Sequence, residues 1–420
     1  IKTGIEVMRS ITENDEAKAL KYRGSISGYE NYYKKISGQI EGAKNFNLLK
    51  QERQNWNSFL EFIEASGTSA EKDAIDNLLE ITNEVNSESL NNMYYGGSTL
   101  IGTASTLYRH AYEKTKPNSA REPGYQERDY ERLVNRMRSM EYRFDAEVDK
   151  GIFLYRLNRY RDVDSKDRRK SYSSLLELDA PYENTVSVVD EMYAYPSGLL
   201  DTNKRIKLLD ASLDDLNKSS DPFIVFVREV FEEGMEREKK NKARSSLQQK
   251  NKSIFIKSLR KFYKSLNKDI YPDANGTLRV TFGNVMGVEL NDGVYYKPFT
   301  TLEGISQKNT GVSPFEVDVK QLKLISDKEY GSYKFNEIGS VPVNYISNLD
   351  ITNGNSGSST LNTRGEFVGL AFDGMLETII SDYKFIPQTR TIHVDSRYLL
   401  WTLEVYEKDT RLIDEMVLVR

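Results

Sequence analysis

The period of the apolar residues changes once along this chain, near Asp269, and that change limits the folds open to it. Ahead of it the pattern is helical. Trp56, Phe59, Leu60 and Ile63 fall at i, i+3, i+4 and i+7, and Gly67 stands where a C-terminal cap belongs. Ala70 to Val85 repeats the pattern with Ile75, Leu78, Leu79 and Ile81. Ser87 to His110 is smaller-grained, with an ambiguous stretch at Gly96-Gly97. Arg121-Glu122-Pro123-Gly124 breaks the chain, and Tyr125 to Arg143 resumes as a charged helix whose charges read as a solvated face. Thr185 to Ala194 and a short Leu208 to Leu216 follow, and Asp221-Pro222 opens another helix with Asp as cap and Pro first.

Beyond Asp269 the period drops to two. Tyr271 to Gly276 is a turn cluster, and Leu278 to Phe282 alternates as a half-buried strand. Asn291-Asp292-Gly293 marks a hairpin inside Val288 to Tyr296, and Pro314 to Leu322 suits a short helix. Val341 to Ile346, Phe367 to Phe372 and Thr391 to Val394 read as strands, with a turn at Asn362 to Gly365. Asp395 then caps a helix, Ser396 to Tyr406, with Leu399, Leu400, Leu403 and Tyr406 as its apolar face. The expected class is α+β: a helical domain over 1–268, then an antiparallel β lobe over 269–420 closed by a C-terminal helix.

A chain of 420 residues can bury two or three cores. The absence of Cys excludes thiol catalysis, cysteine-ligated zinc and disulfides. A net charge of −4 gives no general attraction to nucleic acid, and no apolar run approaches the ~20 residues of a membrane span. Lys239 to Lys252 is strongly basic but carries no interleaved aromatics, so it reads as an exposed helix rather than a nucleic-acid face. Ile1 onward reads as the middle of a helix, so further sequence is expected ahead of it.

Asn353-Gly354-Asn355-Ser356-Gly357-Ser358 lies between two strand patterns. A serine on a glycine-rich elbow can present a nucleophile, with the amides of Gly354 and Ser356 converging as an oxyanion hole. A Ser/Gly/Asn-rich surface loop has the same composition, and the two readings balance. A serine nucleophile also needs a base. The chain has two histidines, His110 in the helical half and His393 on a strand after the serine. Neither precedes the serine on a strand of a second barrel half, so the base and its orienting Asp are expected on sequence ahead of Ile1.

The chain resembles the dipeptidyl-peptidase 7 and 11 family of serine exopeptidases almost from end to end. The matching blocks include Asn31-Tyr32-Tyr33-Lys34, Arg121 to Asp129, Tyr271 to Thr281, Tyr295 to Gly304, Gly354 to Ser358, Phe372-Asp373-Gly374, and Val394-Asp395 with Arg397-Tyr398. The resemblance implies a chymotrypsin-like double β-barrel capped by an inserted helical domain, of which the N-terminal barrel lobe is absent from this chain. It implies release of N-terminal dipeptides, with Ser356 as nucleophile and Asp373 holding the substrate's α-amino group. Asn31 would share that duty, and Gly374 would go with an apolar residue before the scissile bond. It further implies peptide substrates with a free N-terminus, a homodimer in the periplasm or secreted, and neither metal nor other cofactor. Departures stand at Asn353, Ser359, Met375 and Leu376, all around the substrate cleft. Two alternatives remain: a non-catalytic peptide-binding homologue, and an endopeptidase of the same barrel.

Overall fold

A computed structural model describes residues 1–268, 270, 278–312, 315–352 and 354–419. The turn cluster 271–276, Pro314 and Asn353 lie outside the described residues. The chain divides into two compact units, Ile1–Tyr33 with Trp56–Ile270, and Lys34–Asn55 with Tyr271–Arg420.

The first unit is helical. Helix Thr99–Lys114 starts where Ser98 Oγ accepts the Ile101 amide at 3.2 Å. Leu100, Ala104, Leu107 and Ala111 recur on one buried face of it. They join Phe153, Leu157, Tyr160 and Phe223 in the main core. Phe223 lies in the long helix Pro222–Ser265, where Asp221 accepts the Phe223 amide at 3.1 Å. The expected Asp cap and first-position Pro are therefore present. Farther along that helix, Phe255 and Phe262 meet the stripe from Trp56 to Ile63, and Phe59 stacks edge-on to Phe262 at 5.6 Å. Gly96 and Gly97 have positive φ and separate two helices, which resolves the ambiguous stretch there. Lys239 to Lys252 lies within the long helix.

Residues 34–55 were expected to belong with the helical domain but group with the second unit. Gly38 shows the cause. A Cβ there would lie 2.6 Å from Leu376 Cδ1 and 2.8 Å from Ile379 Cγ2, so only glycine lets helix Glu16–Asn45 approach so closely. Lys384 Nζ adds a hydrogen bond to Gln51 at 2.7 Å.

The second unit is built on strands β1 (Val288–Asn291), β2 (Val294–Tyr296), β3 (Phe299–Thr301), β4 (Pro342–Ser347), β5 (Ser358–Leu361), β6 (Phe367–Gly374) and β7 (Thr391–Asp395). β1 and β2 form a hairpin around Gly293, whose φ of 77° suits the expected turn. The other five make an antiparallel sheet in the order β3-β4-β7-β6-β5. β5 and β6 are joined through Asn362 and Gly365, as the turn signal required. A core of Leu302, Ile325, Tyr333, Val341, Val343 and Trp401 accompanies the sheet.

Three expectations are corrected. Leu278 to Phe282 is not a half-buried strand: it lies outside the sheet, with Leu278, Val280 and Phe282 more than four-fifths exposed. Alternation records which residues could bury a face, and in this structure no sheet pairs with the segment. The short helix is Val319–Ser326, because Asp318 caps the amides of Lys320 and Gln321. The last helix keeps its Asp395 cap but is α-helical only over Ser396–Trp401, then widens to a π-turn over Thr402–Glu407. Trp401, absent from the expected apolar face, is its fully buried anchor and donates Nε1–H to Glu329 O at 2.8 Å.

Candidate active site

Ser356 lies on the loop entering β5, and its side chain is exposed. Two devices hold the loop. Asn355 Oδ1 accepts the Thr352 amide at 2.8 Å, and the Asn355 amide donates back to Thr352 O at 3.2 Å. The Gly357 amide donates to Ala371 O at 2.7 Å, which docks the loop on β6. Gly354 and Gly357 have φ of 91° and 84°, a backbone that L side chains rarely adopt. Space around a Cβ at Gly354 is open, so its glycine answers to backbone conformation and not to crowding. The amides of Gly354 and Ser356 donate no hydrogen bond among the described residues. That leaves them available to a developing oxyanion.

β6 explains the next residue. Ala371 faces His393 of β7, yet Asp373 faces Ile392 instead of Thr391. Phe372 is the extra residue of a β-bulge. Without it Asp373 would point to the same face as the buried Ala371. With it both Phe372 and Asp373 face outward and are exposed. The Ser356 hydroxyl donates to Phe372 O at 3.3 Å, so the serine sits against the backbone of the residue just before Asp373. Asp373 Oδ1 accepts the Gly374 amide at 2.8 Å, which orients the carboxylate. A Cβ on Gly374 would meet only Arg390 O, at 3.9 Å, leaving room at that position. The side chain of Arg390 is buried, and its guanidinium spends Nε, Nη1 and Nη2 on the carbonyls of Gly287, Pro387 and Thr389. The structure thus holds the loop of Gly354 and Ser356 against β6, whose last residues are Asp373 and Gly374. Asn31 is exposed on the part of helix Glu16–Asn45 that belongs to the first unit. The bracing Asn355 and the bulged Phe372 were missed. An Asn following a glycine in such a loop does signal a turn of its own making, whereas nothing local announces the bulge.

Neither histidine is free to act as base. His393 is fully buried on β7, stacked on Tyr345 with ring centroids 4.5 Å apart. Its Nε2 lies 2.7 Å from Ser347 Oγ and its Nδ1 2.9 Å from Thr360 Oγ1, so both nitrogens are spent. Burial holds its pKa down to about 4. His110 is buried within the first unit beside Tyr125 and Tyr130, and burial lowers its pKa too. Among the described residues no cluster of three or more His, Asp or Glu could hold a metal, and no helix is long and apolar enough to cross a membrane.

The burial of His393 has a measurable consequence. A neutral native histidine resists protonation that the unfolded chain accepts below about pH 6.5. Stability contributed this way is complete above pH 6.5 and falls as pH drops toward about 4, by up to about 3 kcal/mol. We predict that His393→Gln flattens the pH dependence of the urea midpoint between pH 7 and 4, whatever it does to the midpoint itself. Equal slopes in the two proteins would mean that His393 titrates normally.

The serine loop is thus docked on a bulged antiparallel strand, with a carboxylate turned outward beside it. The chain belongs to the peptidase S46 family, whose model matches residues 1–418. Among curated relatives, it is 32% identical over 441 residues to the Asp/Glu-specific dipeptidyl-peptidase of Shewanella putrefaciens, covering 99% of this chain and 60% of that protein. It is 27% identical over 434 residues to dipeptidyl-peptidase 7 of Porphyromonas gingivalis, covering 100% of this chain and 58% of the relative. The chain therefore spans about three fifths of the length of these relatives. The fold matches the crystal structure of Porphyromonas endodontalis DPP11 in complex with the dipeptide Arg-Glu, with TM-score 0.76 and 23% identity over 98% of this chain and 58% of that one.

Proposed function

We propose that these residues form the helical part and the nucleophile-bearing lobe of a serine dipeptidyl-peptidase. The observation that carries this is the bulge at Phe372, which turns Asp373 outward on the residue next to the carbonyl that holds Ser356. Ser356 Oγ attacks the carbonyl carbon of the substrate's second residue. The oxyanion settles on the amides of Gly354 and Ser356. A base takes the serine proton and returns it to the departing amine, and water then hydrolyses the dipeptidyl ester. Because both histidines of this chain are buried and one is fully hydrogen-bonded, that base and its Asp come from residues outside these 420. They would belong to a second barrel lobe, with 1–268 as cap and 269–420 as the lobe that carries the serine. Asp373 pairs with the substrate's α-ammonium, and Asn31 assists it. A homodimer in the periplasm or secreted goes with the same reading. The test is to incubate the full-length protein with peptides bearing a free N-terminus and identify products by mass spectrometry. Stepwise loss of dipeptides supports the proposal. Internal cleavage, or binding without cleavage, would replace it with the endopeptidase or the peptide-binding reading.

The room at Gly374, and the full engagement of Arg390, favour an apolar side chain before the scissile bond. The Asp/Glu-specific name of the Shewanella putrefaciens relative favours an acidic one. We predict faster turnover of aliphatic and aromatic residues there, and a shift toward Asp and Glu in Gly374→Arg by roughly 10- to 150-fold in relative kcat/KM, the worth of a charge-assisted hydrogen bond. A dipeptide-amide panel decides it. An unsubstituted enzyme that prefers Asp or Glu overturns the apolar reading.

A further inference from the structure

We propose that a groove of about 710 Å³ in the helical unit binds an oxyanion, a carboxylate or phosphate group, at Arg169. One wall is the face of helix Pro222–Ser265 that carries Arg237, Glu238, Asn241 and Lys242; Asn92 and Arg169 come from the opposite side. The cations of the groove differ in what they already hold. Arg237 donates to Glu88 at 3.1 Å and to Asn92 Oδ1 at 2.8 Å. Lys242 pairs with Glu238 at 2.7 Å and also with Glu122. Glu238 in turn takes Arg109 at 3.0 Å. Arg169 is different. Among the described residues its guanidinium has no hydrogen-bond or ion-pair partner, and its Nε is buried without one.

That guanidinium is nonetheless held in place. Its Cζ lies 3.2 Å from the ring centroid of Tyr95, which packs on the fully buried Tyr172 at 4.6 Å. The Arg169 amide donates to the hydroxyl of the buried Tyr160 at 3.0 Å. An arginine stacked on an aromatic face, lining a polar groove with its guanidinium unpaired, is prepared for recognition of an oxyanion. Its Nε is closed off from solvent, so the two terminal Nη groups, which have no partner among the described residues, are the donors an oxyanion would take. Asn92 and Asn241 add polar atoms for the ligand's remaining oxygens. Of the six basic residues in the run Lys239 to Lys252, Lys240, Lys242 and Arg244 are paired with Glu84, Glu88, Glu122 and Glu238.

The test requires no turnover. The 420-residue protein is titrated at low salt by calorimetry with inorganic phosphate, and separately with triglycine and triglycine amide. Saturable one-to-one binding is expected, weakened at least tenfold by Arg169→Gln and partly retained in Arg169→Lys. Ser246→Glu, an exposed change that adds a carboxylate to the groove lining, should weaken it as well without touching Arg169. Binding of phosphate alone makes a phosphate group the ligand. Binding of triglycine but not of its amide makes a peptide's C-terminal carboxylate the ligand. No saturable binding in either arm, or binding unchanged in both Arg169→Gln and Ser246→Glu, overturns the proposal.

Discussion

Full-length enzyme carrying Ser356→Ala should lose peptide turnover by roughly 10⁵- to 10⁶-fold in kcat, the scale of removing a nucleophile that acts as one unit with its base. The substitution deletes one exposed hydroxyl, which donates to Phe372 O at 3.3 Å. Thermal stability should therefore stay within about 0.5 kcal/mol of the parent, and the loss can be read as chemistry. By the same reasoning, we expect residues 1 to 420 alone to be inert. A serine hydroxyl without a neighbouring base is a weak nucleophile. His393 has both ring nitrogens bonded inside the sheet, and His110 is buried in the helical unit. We predict that a fluorophosphonate leaves the 420-residue chain unlabelled and labels Ser356 in the full-length protein. Labelling of the short chain at Ser356 would show that a base is present in it, and the assignment of both histidines to structure would fall.

What could be read from the sequence follows from how local each feature is. Caps and turns depend on a few neighbouring residues, so Asp221, Asp395, Asn362 to Gly365 and Asn291 to Gly293 were legible. The helical stripe from Trp56 to Ile63 was legible because its spacing reports one face. Burial depends on what arrives from elsewhere in the chain. Leu278 to Phe282 alternates, yet no sheet receives it. Nothing near Gly38 in sequence tells of its close approach, since Leu376 and Ile379, which a Cβ there would meet, lie more than three hundred residues away. The site was legible unevenly for the same reason. The elbow glycines carry positive φ that their residue type announces. The position of His393 on a strand after the serine argues against a base, but its structural role rests on its partners Ser347, Thr360 and Tyr345, which come from other strands. The bulge at Phe372 exists in the register of β6 against β7, which no stretch of β6 encodes alone.

That bulge is what makes Asp373 testable as the ruler of the reaction. Asp373 follows the residue whose carbonyl receives the Ser356 hydroxyl, and the bulge points its carboxylate outward. An extended peptide advances about 3.5 Å per residue, so an α-ammonium lies roughly 7 Å from the second peptide bond. A carboxylate at that remove from Ser356 would measure two residues and fix the cut. Removing one partner of a desolvated charge pair costs about 2–5 kcal/mol, or roughly 30- to 5,000-fold in kcat/KM. Asp373→Ala in the full-length enzyme should therefore cripple dipeptide release while Ser356 still reacts with a fluorophosphonate. N-acetylation of the substrate removes the opposite charge and should be about as damaging. The two losses should not add, because they break one interaction. The double comparison also separates a ruler from a brace. Asp373 accepts the Gly374 amide, so its removal could disturb the loop, but a disturbed loop would slow free and acetylated peptides alike. If Asp373→Ala slows both equally, or if the parent enzyme cuts acetylated peptides as fast as free ones, Asp373 is a turn residue and the two-residue measure must come from elsewhere.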